Sequence, residues 1–172
     1  MSFRVLAVTA GGPDLVARVY GLLDAGVEVL VREPTLPEGL PLGRVILHAR
    51  MPGALAVAQA LHLPSGADVA VLRRTFEGPL GVSCHDPEEA AAARTAGATY
   101  TFLSPIFAPR HGRPARGVAG LAGNVALGGV SLERLAACRA AGAAGVAVLG
   151  AIWEAPDPVA AARAFVEAAR GW

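Results

Sequence analysis

No lysine occurs in the 172 residues, and all fifteen basic residues are arginines. That absence removes chemistry through an imine, because a Schiff base needs a lysine amine. Cysteine is scarce too. Cys84 and Cys138 stand far apart without C-x-x-C spacing, which supports neither a zinc site nor a disulfide framework and suits a reducing, cytoplasmic setting. Neither sign of charge dominates: fifteen basic against fourteen acidic residues give a net charge of +1. No basic, aromatic-rich surface of the kind that binds nucleic acid is expected from this balance. Long apolar runs are also missing, since Gly, Pro and Arg interrupt the 53% hydrophobic content well short of the roughly 18–20 residues of a membrane span. Met1 leads straight into "FRVLAVTA", a strand-like run without the basic region and apolar core of an export signal. The expected partners are small molecules, with neither nucleic acid nor membrane among them.

What is present is a repeat. Apolar, β-branched runs alternate with Ala/Leu/Arg-rich amphipathic segments, and the joints "LLDAGVEVLV", "ARTAGATYTFL" and "CRAAGAAGVAVLG" place Gly26, Gly97 and Gly142 where helices end. Asp86-Pro87-Glu88-Glu89 and Asp157-Pro158 read as helix starts, an Asp cap followed by proline in the first turn. Ser131 is expected to cap "LERLAACRAA" in the same way. Between Pro13 and Ala25, the apolar Leu15, Val19, Leu22 and Leu23 fall near helical spacing and leave Arg18 and Asp24 for solvent.

Eight strands are expected, at Arg4–Thr9, Val27–Arg32, Arg44–Ala49, Leu61–Leu63, Leu80–Ser83, Tyr100–Leu103, Asn124–Leu127 and Val146–Leu149. Nearly continuous apolar strands suit a parallel sheet covered by helices. The fold class is α/β, and eight βα units predict a compact (β/α)8 TIM barrel, with an open doubly wound sheet as the alternative. One domain spanning residues 1–172 is expected. A typical barrel takes about 250 residues, so something is trimmed: "EPTLPEGLPLG" after the second strand and "RPARGVAGLAG" after the sixth leave little room for helices. Flanks thinned there would be covered by a second subunit, which predicts a homo-oligomer.

In such a barrel the chemistry sits where strands end, at the carboxyl rim. The rim residues are Arg32 and Glu33, His48 and Arg50, Ser65 and Gly66, Ser83 and His85, Ser104 to His111, Gly128 and Gly129, and Gly150 and Ala151. The last two pairs follow strands seven and eight, where barrels often bind phosphate through backbone N–H groups; an ordinary glycine turn is the alternative. Arg32 and Glu33 form either a rim salt bridge or a recognition site for an anion. Arg110, His111 and Arg113 form a cationic loop that could close over an anionic ligand or simply be solvated. Ser83 and His85 face one way and Cys84 the other, while His85 also suits a capping or packing role beside Asp86. His48 and Arg50 share a face, and His62, between two leucines, reads as structural. No carboxylate cluster follows strands three and four, where "HARMPGA" and "HLPSGAD" offer only Asp68.

Taken in order, "VLVREP", "LHLPSG", "GVSCHDPEEA", "ATYTFLSPIFAP", "VALGGV" and "GAAGVAVLGAI" resemble the thiamine phosphate synthase/TenI superfamily, and within it the TenI thiazole tautomerase branch, over nearly the whole chain. The resemblance implies a (β/α)8 barrel acting in thiamine biosynthesis. Gly128, Gly129, Gly150 and Ala151 would hold the phosphate of a phosphorylated thiazole, and Arg32, Ser83 and Ser104 would line the substrate cavity. The synthases of this superfamily join a pyrimidine pyrophosphate to a thiazole phosphate with magnesium. Their metal carboxylates follow the third and fourth strands and their lysines follow the second and sixth; here both acids and both lysines are missing. A leaving pyrophosphate needs that charge neutralisation. The tautomerases instead aromatise a thiazole carboxylate phosphate by moving one proton, with neither metal nor cofactor. Their general acid/base is a histidine whose place is taken here by Pro105. His111 is then the first candidate to replace it, followed by His48 and His85. A synthase-type transferase and a non-catalytic thiazole phosphate-binding or regulatory protein are the alternatives.

Overall fold

The apolar runs become strands almost where their composition places them: β1 (Val5–Val8), β2 (Glu28–Val31), β3 (Ile46–His48), β4 (Leu61–Leu63), β5 (Leu80–Cys84), β6 (Tyr100–Leu103), β7 (Val125–Leu127) and β8 (Gly145–Val148). The computed structural model describes residues 4–172; the three residues before them, which begin the segment read for an export signal, lie outside the described residues. Each strand pairs in parallel with the next, and β8 returns to β1 through Val5↔Val146, Leu6↔Ala147 and Ala7↔Val148. The sheet is therefore a closed (β/α)8 barrel, and the open doubly wound alternative falls on that last pairing.

Alternation along the strands sorts side chains into two apolar bodies. Leu6, Val8, Leu30, Ile46, Tyr100, Phe102, Val125 and Ala147 fill the barrel, while Ala7, Val29, Leu47, Leu61, Val82, Leu103 and Val148 face outward into the shell. Side chains of this size contribute about 1.5–3 kcal/mol each when fully buried. The interior fits around Tyr100 because β5 offers Gly81 there: a Cβ on Gly81 would lie 2.0 Å from the Tyr100 ring.

The shell is uneven. Well-formed helices follow β1 (α1, Leu15–Asp24), β5 (α4, Pro87–Thr95) and β8 (α7, Pro158–Ala168), but α2 (Ala54–Val57) and α3 (Val69–Arg73) are single turns. No helix follows β2 or β6, as the Pro/Gly-rich connections predict. The reduction of α2 and α3 was not expected; Gly53 enters α2 in the left-handed region, and extended Ala58 ends it. The first helical turn after β7 is 3-10 (Leu132–Arg134), continuing into α5 (Leu135–Ala140), and α6 (Gly150–Trp153) precedes α7.

Capping follows the expected chemistry at two helices and departs from it at a third. Asp86 accepts from the Glu89 N–H and Asp157 from the Ala160 N–H. Ser131 stands at the start of its helix, but its hydroxyl donates to Glu133 and makes no cap bond. Asp24 is exposed and pairs with Arg44 at 3.2 Å, whereas Arg18 is half-buried with its guanidinium 5.8 Å from the Trp153 ring centre.

Where helices are missing, loop side chains take their place. Leu40 is buried, and Leu36 and Leu42 pack beside it after β2; Ile106 and Leu121 are fully buried after β6. Asn124 ties down this second connection. Its amide N–H groups donate to the Gly120 and Ala122 carbonyls, and its side-chain oxygen accepts from Thr101 and Arg94 at 2.6 Å each. A buried polar cluster satisfied in this way fixes one conformation. Among the described residues no helix is long and apolar enough to cross a membrane.

Candidate functional site

Among the described residues, two clefts at the carboxyl rim gather the charged and glycine residues of the strand ends. One, of about 430 Å³, lies between the ends of β7 and β8 and is lined by Gly128, Gly129, Gly150, Ala151, Arg110 and Glu154. Four of these residues, Gly128, Gly129, Gly150 and Ala151, have little or no side chain. Gly150 and Ala151 open α6, so their N–H groups have no intrahelical acceptor. Gly128 and Gly129 are both in the left-handed region, at φ 102° and 69°. They also receive the loop after β6: the Ile106 N–H donates to Leu127 and the Phe107 N–H to Gly128. A Cβ on Gly129 would lie 2.7 Å from that of Ala108, and one on Gly128 would lie 3.1 Å from the Pro105 Cα. These glycines are thus needed for loop packing as well as for an open cradle.

The second cleft, of about 350 Å³, lies after β2 and β3 and is walled by side chains, among them Arg32, His48, Arg50 and Met51. His48 is buried, and its Nδ1 accepts from the Arg50 N–H at 3.2 Å. Burial, together with the Arg32 and Arg50 guanidiniums, pushes its imidazole down to about 4 from an ordinary 6.5. It is neutral at pH 7. Deeper in the barrel, burial first and then His48 and Arg32 push His62 down to about 3. Its Nε2 lies 2.9 Å from Ser83 Oγ and its Nδ1 3.3 Å from the Tyr100 hydroxyl. His62 therefore holds Ser83 as part of the interior packing.

Between the clefts stands His85, half-buried after β5. Its Nδ1 lies 3.2 Å from the Ser104 carbonyl, which can only accept, so Nδ1 carries the proton and the neutral ring keeps its lone pair on Nε2. Its backbone N–H donates to Glu89, whose other oxygen accepts from Ser65. Ser104 is buried at the end of β6 and is joined to Pro105 through a cis peptide. The structure thus brings His85 against the segment in which the tautomerase histidine is replaced by proline. His111 is placed elsewhere: it is exposed on the tip of the turn closed by Arg110 and Arg113, at φ 49°, with Nε2 accepting from Arg110. Of that cationic loop, Arg110 reaches the cleft between β7 and β8. Cys84 faces the shell, and burial with Glu89 nearby pushes its thiol up to about 12.

Arg32 and Glu33 make no ion pair; among the described residues the ion pairs are Arg44–Asp24 and Arg170–Glu167. Glu33 accepts instead from Thr9 and Gly11, partners that its neighbours in sequence do not reveal. Asp68 caps α3 by accepting from the Val71 N–H at 3.0 Å, and among the described residues no group of three or more His, Cys, Asp or Glu is placed to hold a metal. A larger groove of about 530 Å³ opens at the opposite end of the barrel beside Glu28 and Arg44. It contains none of the rim residues, and chemistry in this fold belongs to the rim.

Comparison with known proteins bears on the fold and the family. The family model described as thiamine monophosphate synthase matches residues 43–152. A putative thiamine-phosphate synthase of Geobacter sulfurreducens is 35% identical over 91% of this chain and 88% of its own length. A thiamine-phosphate synthase of Anaeromyxobacter dehalogenans is 34% identical over 91% and 84% respectively. A bifunctional ThiM/ThiE protein of Symbiobacterium thermophilum is 38% identical over 99% of this chain, which spans 41% of that protein. The solved structure of a thiamine phosphate pyrophosphorylase from Pyrococcus furiosus superposes with a TM-score of 0.80 over 98% of this chain and 96% of its own, at 20% identity. On the family match and these full-length relatives, the chain belongs to the thiamine phosphate synthase/TenI superfamily.

Proposed function

We propose that this barrel serves thiamine biosynthesis by binding a phosphorylated thiazole, its phosphate in the cleft after β7 and β8, and by shifting one proton on the ring without a metal. The observation that carries the reading is the use of Asp68 as a helix cap in a rim with no lysine, which leaves a departing pyrophosphate only guanidiniums as counter-charge, without the metal and lysines of a synthase. The phosphate would meet the N–H groups of Gly150 and Ala151 and the Arg110 guanidinium, with the Glu154 carboxylate on the same wall. Arg32, Ser83 and Ser104 would line the ring's cavity. His85 leads His48 and His111 as the acid/base: its Nε2 takes a proton from one ring atom and a proton returns to another, so atoms and charge balance. His48 is neutral and has its Nδ1 engaged, and His111 is at the loop tip.

The second reading is the transferase. The names of the relatives that match most of this chain speak for it more directly than for the tautomerase, and Arg32 and Arg50 in the second cleft supply positive charge for a second anion. The purified protein is tested with the thiazole carboxylate phosphate tautomer, and separately with thiazole phosphate plus pyrimidine pyrophosphate, each with and without magnesium. Metal-independent turnover of the first supports the proton shift. Magnesium-dependent condensation supports the transferase, and binding without turnover leaves a phosphate-binding protein.

Self-association belongs to the same proposal, on a shifted face. The flanks after β2 and β6 are plugged by their own loops, whereas Leu55 and Val57 on α2 and Val71 on α3 are exposed. Sedimentation at micromolar concentration checks it, and a monomer would refute it.

A further inference from the structure

Beyond β1 the chain runs Thr9-Ala10-Gly11-Gly12 to α1 with no element of its own. Glu33 holds this stretch: Thr9 Oγ1 donates to its Oε1, and the Gly11 N–H donates to the same oxygen at 3.0 Å. The Arg32 N–H donates in turn to Thr9 Oγ1 at 3.0 Å, which ties the ends of β1 and β2 together. On the far side of the same glycine, the Gly11 carbonyl accepts from the Trp153 indole N–H at 2.9 Å. Trp153 is buried at the end of α6, the four-residue helix whose first turn walls the β7/β8 cleft. That helix has no side-chain cap and is too short to be stable by itself. Something outside it must fix its position.

We propose that Glu33 is a positioning residue for the phosphate cleft, acting through Gly11 and Trp153 on α6 from across β1, the strand that separates β2 from β8 in the closed barrel. Its role is to accept hydrogen bonds, and its charge toward a ligand is incidental. The inference rests on the reading of the β7/β8 cleft as a phosphate site, but the link itself can be measured without any ligand.

The experiment compares the full chain with Glu33→Ala, Glu33→Gln and Trp153→Phe. Two quantities are read: amide hydrogen exchange over residues 149–154, and binding of inorganic phosphate by phosphorus NMR titration. Loss of one hydrogen bond of ordinary worth should weaken phosphate binding by roughly 3- to 10-fold. Glu33→Ala and Trp153→Phe should each show that loss together with faster exchange confined to α6. Glu33→Gln should stay near the parent in both, because its amide oxygen can accept from the same two donors. Unchanged exchange and binding in Glu33→Ala would overturn the proposal, and so would a Glu33→Gln variant as impaired as the alanine. If Glu33→Ala does not fold, Trp153→Phe decides, since it keeps an aromatic ring and removes only the indole donor. A parent protein that binds no phosphate would refute the reading of the cleft, while the exchange data would still decide the link.

Discussion

The two clefts of the rim are built from different materials. Between β7 and β8 much of the wall is Gly128, Gly129, Gly150 and Ala151, which leave the backbone uncovered; between β2 and β3 it is side chain, with two guanidiniums around a neutral imidazole. A backbone wall offers fixed N–H groups whose direction does not depend on rotamers, and it suits a group that every ligand of the site shares. A side-chain wall can be changed one residue at a time, and it suits the part of the ligand that differs between related enzymes. On the proposed function, the barrel would separate anchoring at the ends of β7 and β8 from selection at the ends of β2 and β3, with His85 at the end of β5.

The largest expected effect falls on that intermediate position. If His85 moves the proton, His85→Ala lowers kcat for the tautomerisation by about 10²–10⁴-fold and leaves phosphate affinity unchanged. His111→Ala, by contrast, stays close to the parent; steady-state kinetics on the two variants separates them, and equal losses would dissolve the distinction. Next comes the backbone wall. Gly129→Ala puts a Cβ 2.7 Å from Ala108 at φ 69°, which should cost about 1–3 kcal/mol of stability. Chemical denaturation measures it, and phosphate titration should show weaker binding.

The side-chain wall should answer to pH. His48 titrates near 6.5 when unfolded and near about 4 when folded, and His62 near about 3. Below 6.5 the unfolded chain binds protons that the native state refuses, so stability is full above 6.5 and falls as pH drops toward the folded values. Thermal denaturation between pH 7 and 4 checks the sign, and His48→Gln should flatten part of the slope. The smallest effect belongs to Arg50→Ala. It removes one of the cations that depress His48 and should move the midpoint of that titration upward by a fraction of a unit, read by NMR of the imidazole, while leaving phosphate affinity at the other cleft untouched.

Much of the fold could be read without coordinates because each strand carries its own apolar run, and because Gly26, Gly97 and Gly142, all at positive φ, mark helix ends locally. The helix-less flanks were legible for the same reason: proline and glycine act where they stand. What escaped was partly local and partly set by partners distant in sequence. "ALAVAQA" has helical composition, yet α2 ends at Ala58. Ser131 has a capping side chain, but its hydroxyl donates to Glu133 and accepts no helix N–H. At the site, the glycine turns were visible, whereas the tie from Glu33 to Thr9, twenty-four residues earlier, and the contact of His85 with Ser104 exist only once the barrel closes.

The connection after β6 illustrates how a fold can lose a helix and gain freedom elsewhere. Its neck is closed where the Arg116 N–H donates to the Pro105 carbonyl and the Gly117 N–H to that of Ile106, and beyond the neck a tight turn spans Arg110 to Arg113. Length added at that tip does not have to thread back through the barrel wall. Exposed tips of this kind tolerate insertion well, so a peptide tag or a fluorophore-bearing segment placed between His111 and Gly112 would ride beside the β7/β8 cleft and report on its occupancy while the eight strands stay as they are.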